Sequence, residues 1–246
     1  MFESAREEIL SRIKGALKHQ ASRDGVALSI GSEQSARQTG EGGQAKRGDL
    51  LTKFEIELSR VGGQFYFADS ARAACEYVRG LASAVVETVG VETNGVETVV
   101  GWDSQLIREI GLAEMLEQSE MDFIADAGKL SSDEFIRKAT EASIGITGVD
   151  YALADTGTLV LISGRGRARA VSLLPPIHVA LVKAAQVISG LEDLFVSLKV
   201  EKGFSNQNIS SAITFITGPS RTADIELTLV VGVHGPQQLH VILLSD

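Results

Sequence analysis

The sequence predicts an α/β fold, a mostly parallel sheet covered by helices, and three observations carry that expectation. From Leu50 onward, short β-branched and apolar runs alternate with stretches of helical period, the pattern of parallel strands joined by crossover helices. The run Ala212–Thr217 reads as a buried strand and stops abruptly at Gly218-Pro219, as a strand does when it ends in a tight turn. With 246 residues, 44% of them hydrophobic, the chain is long enough to enclose a real core.

Taken in order, the first element is a helix within residues 1–20. Phe2, Ala5, Ile9, Ile13, Ala16 and Leu17 form one apolar stripe. Residues 21–49 are rich in Gly, Ser, Gln and charge; so few apolar anchors cannot offset the entropy of ordering, and a flexible linker or long loop is expected. A lone amphipathic helix beyond such a linker is marginal in water, so it must dock on this domain or, in the preferred reading, on a partner chain. Residues 50–246 form the α/β domain. A helix over Leu50–Val61 precedes a strand at Gln64–Ala68, and Asp69 or Ser70 then caps a second helix. Strands follow at Glu97–Gly101 and Asp122–Ala125. A helix over Ser132–Ala142 carries Asp133 and Glu134 at its positive end, without a capping box from Ser132. The remainder is strand-rich: Ser143–Thr147, Leu159–Ser163, Ala170–Leu173, His178–Val182, Ala212–Thr217, Leu227–Val233 and Leu239–Leu244. A helix at Leu191–Lys199 and a loop at Ser205–Asn208 interrupt these strands.

A net charge of −9 and a pI near 5.0 argue against nucleic-acid binding, which favours a basic surface. No apolar run reaches the length of a membrane span, and the N-terminus lacks the apolar stretch of a secretory signal, so a cytoplasmic location with no membrane insertion is expected. The single cysteine, Cys75, excludes an intramolecular disulfide and a thiolate metal cluster held by this chain alone. No His/Asp/Glu group has metal-ligand spacing, and no metal or cofactor is expected in this chain.

Two segments gather polar chemistry. The corner Gly218-Pro-Ser-Arg-Thr-Ala-Asp224 delivers hydroxyls, a guanidinium and permissive backbone at a strand end, as an anion site requires. Arg221 would hold the anion in a bidentate pair, aided by Gly218, Pro219, Ser220, Thr222 and Asp224; the plainer alternative is that Arg221 pairs with Asp224 and closes the turn. At most one helical turn is expected there before extended chain resumes. The second segment, Gly145–Thr158, presents Asp155, Thr156, Gly157 and Thr158 after a strand, either as a ligand cradle or as a hairpin turn. Arg165, Arg167 and Arg169 read as a solvated hairpin, with an anion clamp or an acidic docking site as the alternative. His178, after Leu174-Pro-Pro-Ile177, and His234, in Val233-His-Gly-Pro236, are candidates with Asp155 for catalytic acid–base work, and equally for structural roles.

In this order, Ala154-Asp-Thr-Gly-Thr158, Ser172-Leu-Leu-Pro175 with His178, Thr217–Glu226, Gly232-Val-His-Gly-Pro236 and Leu239-His240 resemble the lactate-utilisation protein C family, whose members carry the LUD domain. The motifs span about Gly145–Leu244. The resemblance implies a fold like that of ribose-5-phosphate isomerase, glucosamine-6-phosphate deaminase and CoA-transferases. It also implies a part in oxidising L-lactate to pyruvate beside iron–sulfur partner proteins. The expected protein is a subunit of a lactate-oxidising system, rather than a self-sufficient enzyme, with a small carboxylate or phosphorylated ligand at the carboxyl ends of the strands. The alternatives are a stand-alone enzyme of cyclo-ligase or acyl-transfer type and a non-catalytic assembly factor.

Overall fold

The computed structural model describes residues 41–89, 97–126, 128–202, 212–223 and 229–244. The N-terminal helix and the loop expected at Ser205–Asn208 lie outside these residues, as does most of the expected linker. The compact unit runs from Gln44 to Asp246.

Its elements are α1 (Glu41–Arg60), β1 (Gln64–Ala68), α2 (Ala71–Val89), β2 (Glu97–Gly101), α3 (Gln105–Glu109), α4 (Leu112–Glu117), β3 (Met121–Ala125), α5 (Ser132–Glu141) and β4 (Ile144–Gly148). They continue as β5 (Tyr151–Leu153), β6 (Thr158–Ile162), α6 (Ala170–Leu173), β7 (Ile177–Lys183), β8 (Val187–Ile188) and α7 (Leu191–Lys202). The last four are β9 (Ile213–Ile216), β10 (Arg221–Ala223), β11 (Leu229–Val231) and β12 (Gln238–Leu244).

Six strands form a wholly parallel sheet in the order β1-β12-β7-β4-β2-β3. Its central strands are apolar along nearly their whole length because both faces are covered; every residue of β4 is buried. One face carries Tyr66 and His240 and is covered by α2, whose Tyr77 stacks on Tyr66 at 4.2 Å between ring centroids. The other carries Phe65 and His178 and meets α1, where Phe54 packs edge-on against Phe65 at 6.5 Å. A second sheet, β8-β5-β6-β9, lies beside the first. Ala152, Leu159 and Leu161 join the main core, while Tyr151, Leu153, Val160 and Ile162 pack with Leu194 and Leu198 of α7.

Two local expectations are corrected, and the start of one helix is explained. Ala170–Leu173, expected as a strand, is the short helix α6; four apolar residues carry too little periodicity to separate the two. The helix expected from Leu50 begins at Glu41. The helix expected from Ser132 is capped by Ser131, whose hydroxyl and the Glu134 carboxylate close a capping box one residue earlier.

A small cavity between two Gly-Pro turns as the candidate functional site

Gly145 shows how the sequence brings α6 onto the sheet. A β-carbon at this position of β4 would collide with the Val171 carbonyl, so only glycine allows the helix to lie this close. Pro175 and Pro176 then turn the chain into β7, with His178 beside Gly145 on one side and Leu239 of β12 on the other. The segment leaving β9 passes through Gly218, at φ 83°, a value that disfavours side chains. The segment entering β12 passes through Val233-His-Gly-Pro236.

These two turns interlock. The Ser220 amide donates to the Pro236 carbonyl at 2.8 Å, and the Gly232 amide donates to the Ser220 carbonyl at 2.9 Å. With α6 and β9 they enclose a cavity of about 200 Å³. Its polar lining is Ser172, His178, Thr214, Thr217, Ser220 and His234; its apolar walls include Leu173, Ile216 and Leu239. His178 and Leu239 are the second residues of β7 and β12, so the cavity lies at the amino edge of the parallel sheet. This corrects the expected placement at the carboxyl ends: the residues come together where loops enter the central strands.

His178 is 1% exposed. Its Nε2 bonds the hydroxyl of Thr147 on β4 at 2.9 Å, while its Nδ1 has no hydrogen-bond partner among the described residues. Burial, with His240 a smaller contributor, pushes the imidazole down to about 3, so it is neutral at physiological pH. His240, pushed down to about 4 by burial, faces the opposite side and is held by Tyr77 at 2.9 Å and Gln238 at 3.0 Å. His234 is exposed at the cavity rim. Thr147 was missed in the sequence; a threonine inside an apolar strand gives no signal until its partner is known.

The structure thus brings together Gly218, Pro219, Ser220, His178 and His234. It places the other candidates elsewhere. The Arg221 guanidinium donates to the Val61 carbonyl at 2.7 Å, just beyond α1, where a cation satisfies exposed carbonyls and the negative helix end. Arg221 and Thr222 lie in β10, Thr222 opposite Val230, so the chain becomes extended at once, without a helical turn. Asp224 lies outside the described residues. Asp155, Thr156, Gly157 and Thr158 sit at the β5–β6 hairpin. Thr156 donates to Asp155 at 3.2 Å, and Gly157 backs onto α1 at Leu58. The Thr158 hydroxyl bonds Thr156 at 2.8 Å and Thr217 at 2.9 Å, so this segment reaches the cavity through the Thr217 hydroxyl.

At the other end of the sheet, Arg167 pairs with both oxygens of Asp150 at 3.2 and 2.8 Å and lies over the Trp102 ring at 4.4 Å. Arg165 and Arg169 are exposed. Cys75 is buried, and burial, with Glu76 adding to it, pushes its thiol up to about 11, far from a reactive thiolate. Among the described residues no group of three or more His, Cys, Asp or Glu could hold a metal ion, and no helix is long and apolar enough to cross a membrane.

The residues that build this cavity and its two turns fall inside a segment, 51–244, that matches the family model of the LUD domain. The chain belongs to the LUD-domain family. Relatives of this LUD domain include the lactate utilization protein C of Bacillus subtilis, 32% identical over 98% of this chain and 96% of the relative. The protein of the same name in Halalkalibacterium halodurans is 35% identical over 63% of this chain and 66% of the relative. That in Shouchella clausii is 34% identical over 82% of each. A crystal structure of a DUF162 family protein from Deinococcus radiodurans, 21% identical, aligns over 80% of this chain and 98% of that one with a TM-score of 0.49.

Proposed function

We propose that this chain is a cytoplasmic component of a lactate-utilisation system and that it holds a small carboxylate ligand in the cavity between the two Gly-Pro turns. The names of its relatives support the pathway. The observation that carries the site is that His178, a residue lining that cavity, has a buried Nδ1 with no partner among the described residues. Buried polar atoms are nearly always paired, and an unpaired one beside a cavity is what a ligand would satisfy. Ser220 adds a hydroxyl to the lining, beside those of Ser172, which donates to the Arg169 carbonyl at 3.2 Å, and Thr217, which bonds Thr158 at 2.9 Å.

Oxidising lactate to pyruvate removes two electrons and two protons, which need an acceptor. One buried cysteine cannot furnish the thiolate set of an iron–sulfur cluster. In this reading the clusters belong to partner proteins, and this chain contributes ligand binding within their complex. The family resemblance supports that division of labour.

The test is growth of a strain lacking this protein on L-lactate, complemented with wild type or Gly235→Val. A β-carbon at Gly235 already lies 3.1 Å from Ser220 Cβ and 3.2 Å from its Oγ, so a valine protrudes into the cavity. The expected result is loss of growth on lactate by a variant that still accumulates in folded form; normal growth would remove the cavity from the account.

A further inference from the structure

We propose that the cavity recognises an uncharged hydroxyl group of its ligand through Nδ1 of His178, which makes its ligands short-chain alcohols and hydroxy acids rather than phosphorylated compounds. The proposal rests on the reading of this cavity as the binding site.

Hydrogen-bond accounting carries the argument. The His178 ring has two nitrogens, and Thr147 takes up Nε2. If Nε2–H donates to the Thr147 oxygen, Nδ1 is an acceptor; if the Thr147 hydroxyl donates, Nδ1 carries the proton and is a donor. A ligand carbonyl or carboxylate oxygen answers only the second arrangement and an ammonium only the first, whereas a hydroxyl answers both. Since the imidazole is held neutral by burial, it offers no positive charge to an anion at the deep end.

The rest of the lining agrees. Among the described residues its lining is Ser, Leu, His, Thr, Phe, Ile, Gly and Pro, with no lysine, arginine, aspartate or glutamate. A phosphate dianion buried here would give up its hydration without a cation to replace it. The apolar walls at Leu173, Ile216 and Leu239 suit a short hydrocarbon portion, and about 200 Å³ sets the scale of the ligand. A carboxylate, where the ligand has one, is placed toward the exposed rim at His234, where water and that imidazole share its charge.

The test is calorimetric titration of the full chain with L-lactate, propionate and inorganic phosphate. Propionate keeps the carboxylate and the hydrocarbon but lacks the hydroxyl. Wild type is expected to bind lactate at least ~10-fold more tightly than propionate, as a site that hydrogen-bonds a substrate hydroxyl does, and phosphate is expected not to displace lactate. His178→Phe should abolish the preference, so that the two acids bind alike, while His178→Asn, which keeps a hydrogen-bonding side chain, should retain part of it. Melting curves decide which variants are folded, and His178→Asn alone decides the matter if the phenylalanine variant is not. Equal binding of lactate and propionate by wild type, an undiminished preference in His178→Phe (or in His178→Asn where the phenylalanine variant is unfolded), or displacement by phosphate would each overturn the assignment. If Gly235→Val abolishes growth on lactate while wild type binds no lactate, the hydroxyl assignment falls and the cavity reading stands. If lactate binds Gly235→Val as tightly as wild type, the cavity reading itself falls.

Discussion

Two histidines buried in one sheet make this protein sensitive to mild acid, by an amount that follows from their surroundings. His178 and His240 are each 1% exposed, and burial holds their imidazoles at about 3 and about 4, against an ordinary 6.5. A group whose pKa is depressed by folding contributes stability above its unfolded pKa and loses that contribution as pH falls through the interval between the two values. The unfolded chain takes up protons that the native sheet refuses. Between about pH 7.5 and about pH 5.5 neither imidazole protonates in the fold, so each costs about 1.4 kcal/mol and the pair about 2.7 kcal/mol of stability. Buried carboxyls oppose this: Glu97 and Asp126 are pushed up by burial, which favours the fold at lower pH. Their effect is common to wild type and variants and cancels in the difference. The assay is urea unfolding followed by circular dichroism at the two pH values, for wild type and for the double variant His178→Asn, His240→Gln. Wild type should lose about 2–3 kcal/mol more than the double variant over this interval. A difference below about 0.5 kcal/mol would refute the claim that both rings are buried in the neutral form.

Two further substitutions probe how the sheet and the Gly-Pro corner are held. Gly218→Ala combines a φ of 83° with a collision against the Val61 carbonyl; a loss of about 2–4 kcal/mol is expected from strain and overpacking together, read as a lowered melting temperature, and a melting temperature equal to wild type contradicts it. Arg167→Ala removes the guanidinium that pairs with the largely buried Asp150 carboxylate, whose side chain is 13% exposed, and uncovers Trp102. A loss of about 2–3 kcal/mol is expected, with a red shift in the fluorescence of Trp102, the only tryptophan, while an unchanged spectrum would show that Arg167 does not shield the ring.

Much of the sheet was legible because its strands announce themselves. Gln64–Ala68 and Glu97–Gly101 were placed to the residue, and β12 is apolar over most of its length because helices and neighbouring strands leave it no wet face. Ala170–Leu173 was misread because a single turn of Ala, Val, Ser and Leu has no period; the missing side chain of Gly145, 25 or more residues away along the chain, is what lets it lie close on the sheet. The Gly218–Ser220 corner was legible as a candidate, and so was His234, since both follow apolar runs that stop at a turn. Their location at the amino edge was not, because strand direction relative to a loop is a property of the assembled sheet. Arg221 illustrates the same limit. Its residue type and setting suggest an anion, but its partner in the fold is a carbonyl 160 positions earlier, and nothing local in the sequence reveals it. His178 stood out for its diproline approach, yet its significance comes from one nitrogen taken by Thr147 and the other left over, which only the packed structure displays.

The most direct measurement is a titration of the full chain with L-lactate, observed through the imidazole nitrogens of ¹⁵N-histidine-labelled protein by NMR. A saturable shift of the His178 Nδ1 resonance is expected, absent in Gly235→Val, while His240, held by Tyr77 and Gln238 on the far side of the sheet, stays nearly still. A His178 resonance that does not move at saturating lactate, or that moves equally in the cavity-filled variant, would contradict the claim that this cavity is where the protein holds its ligand.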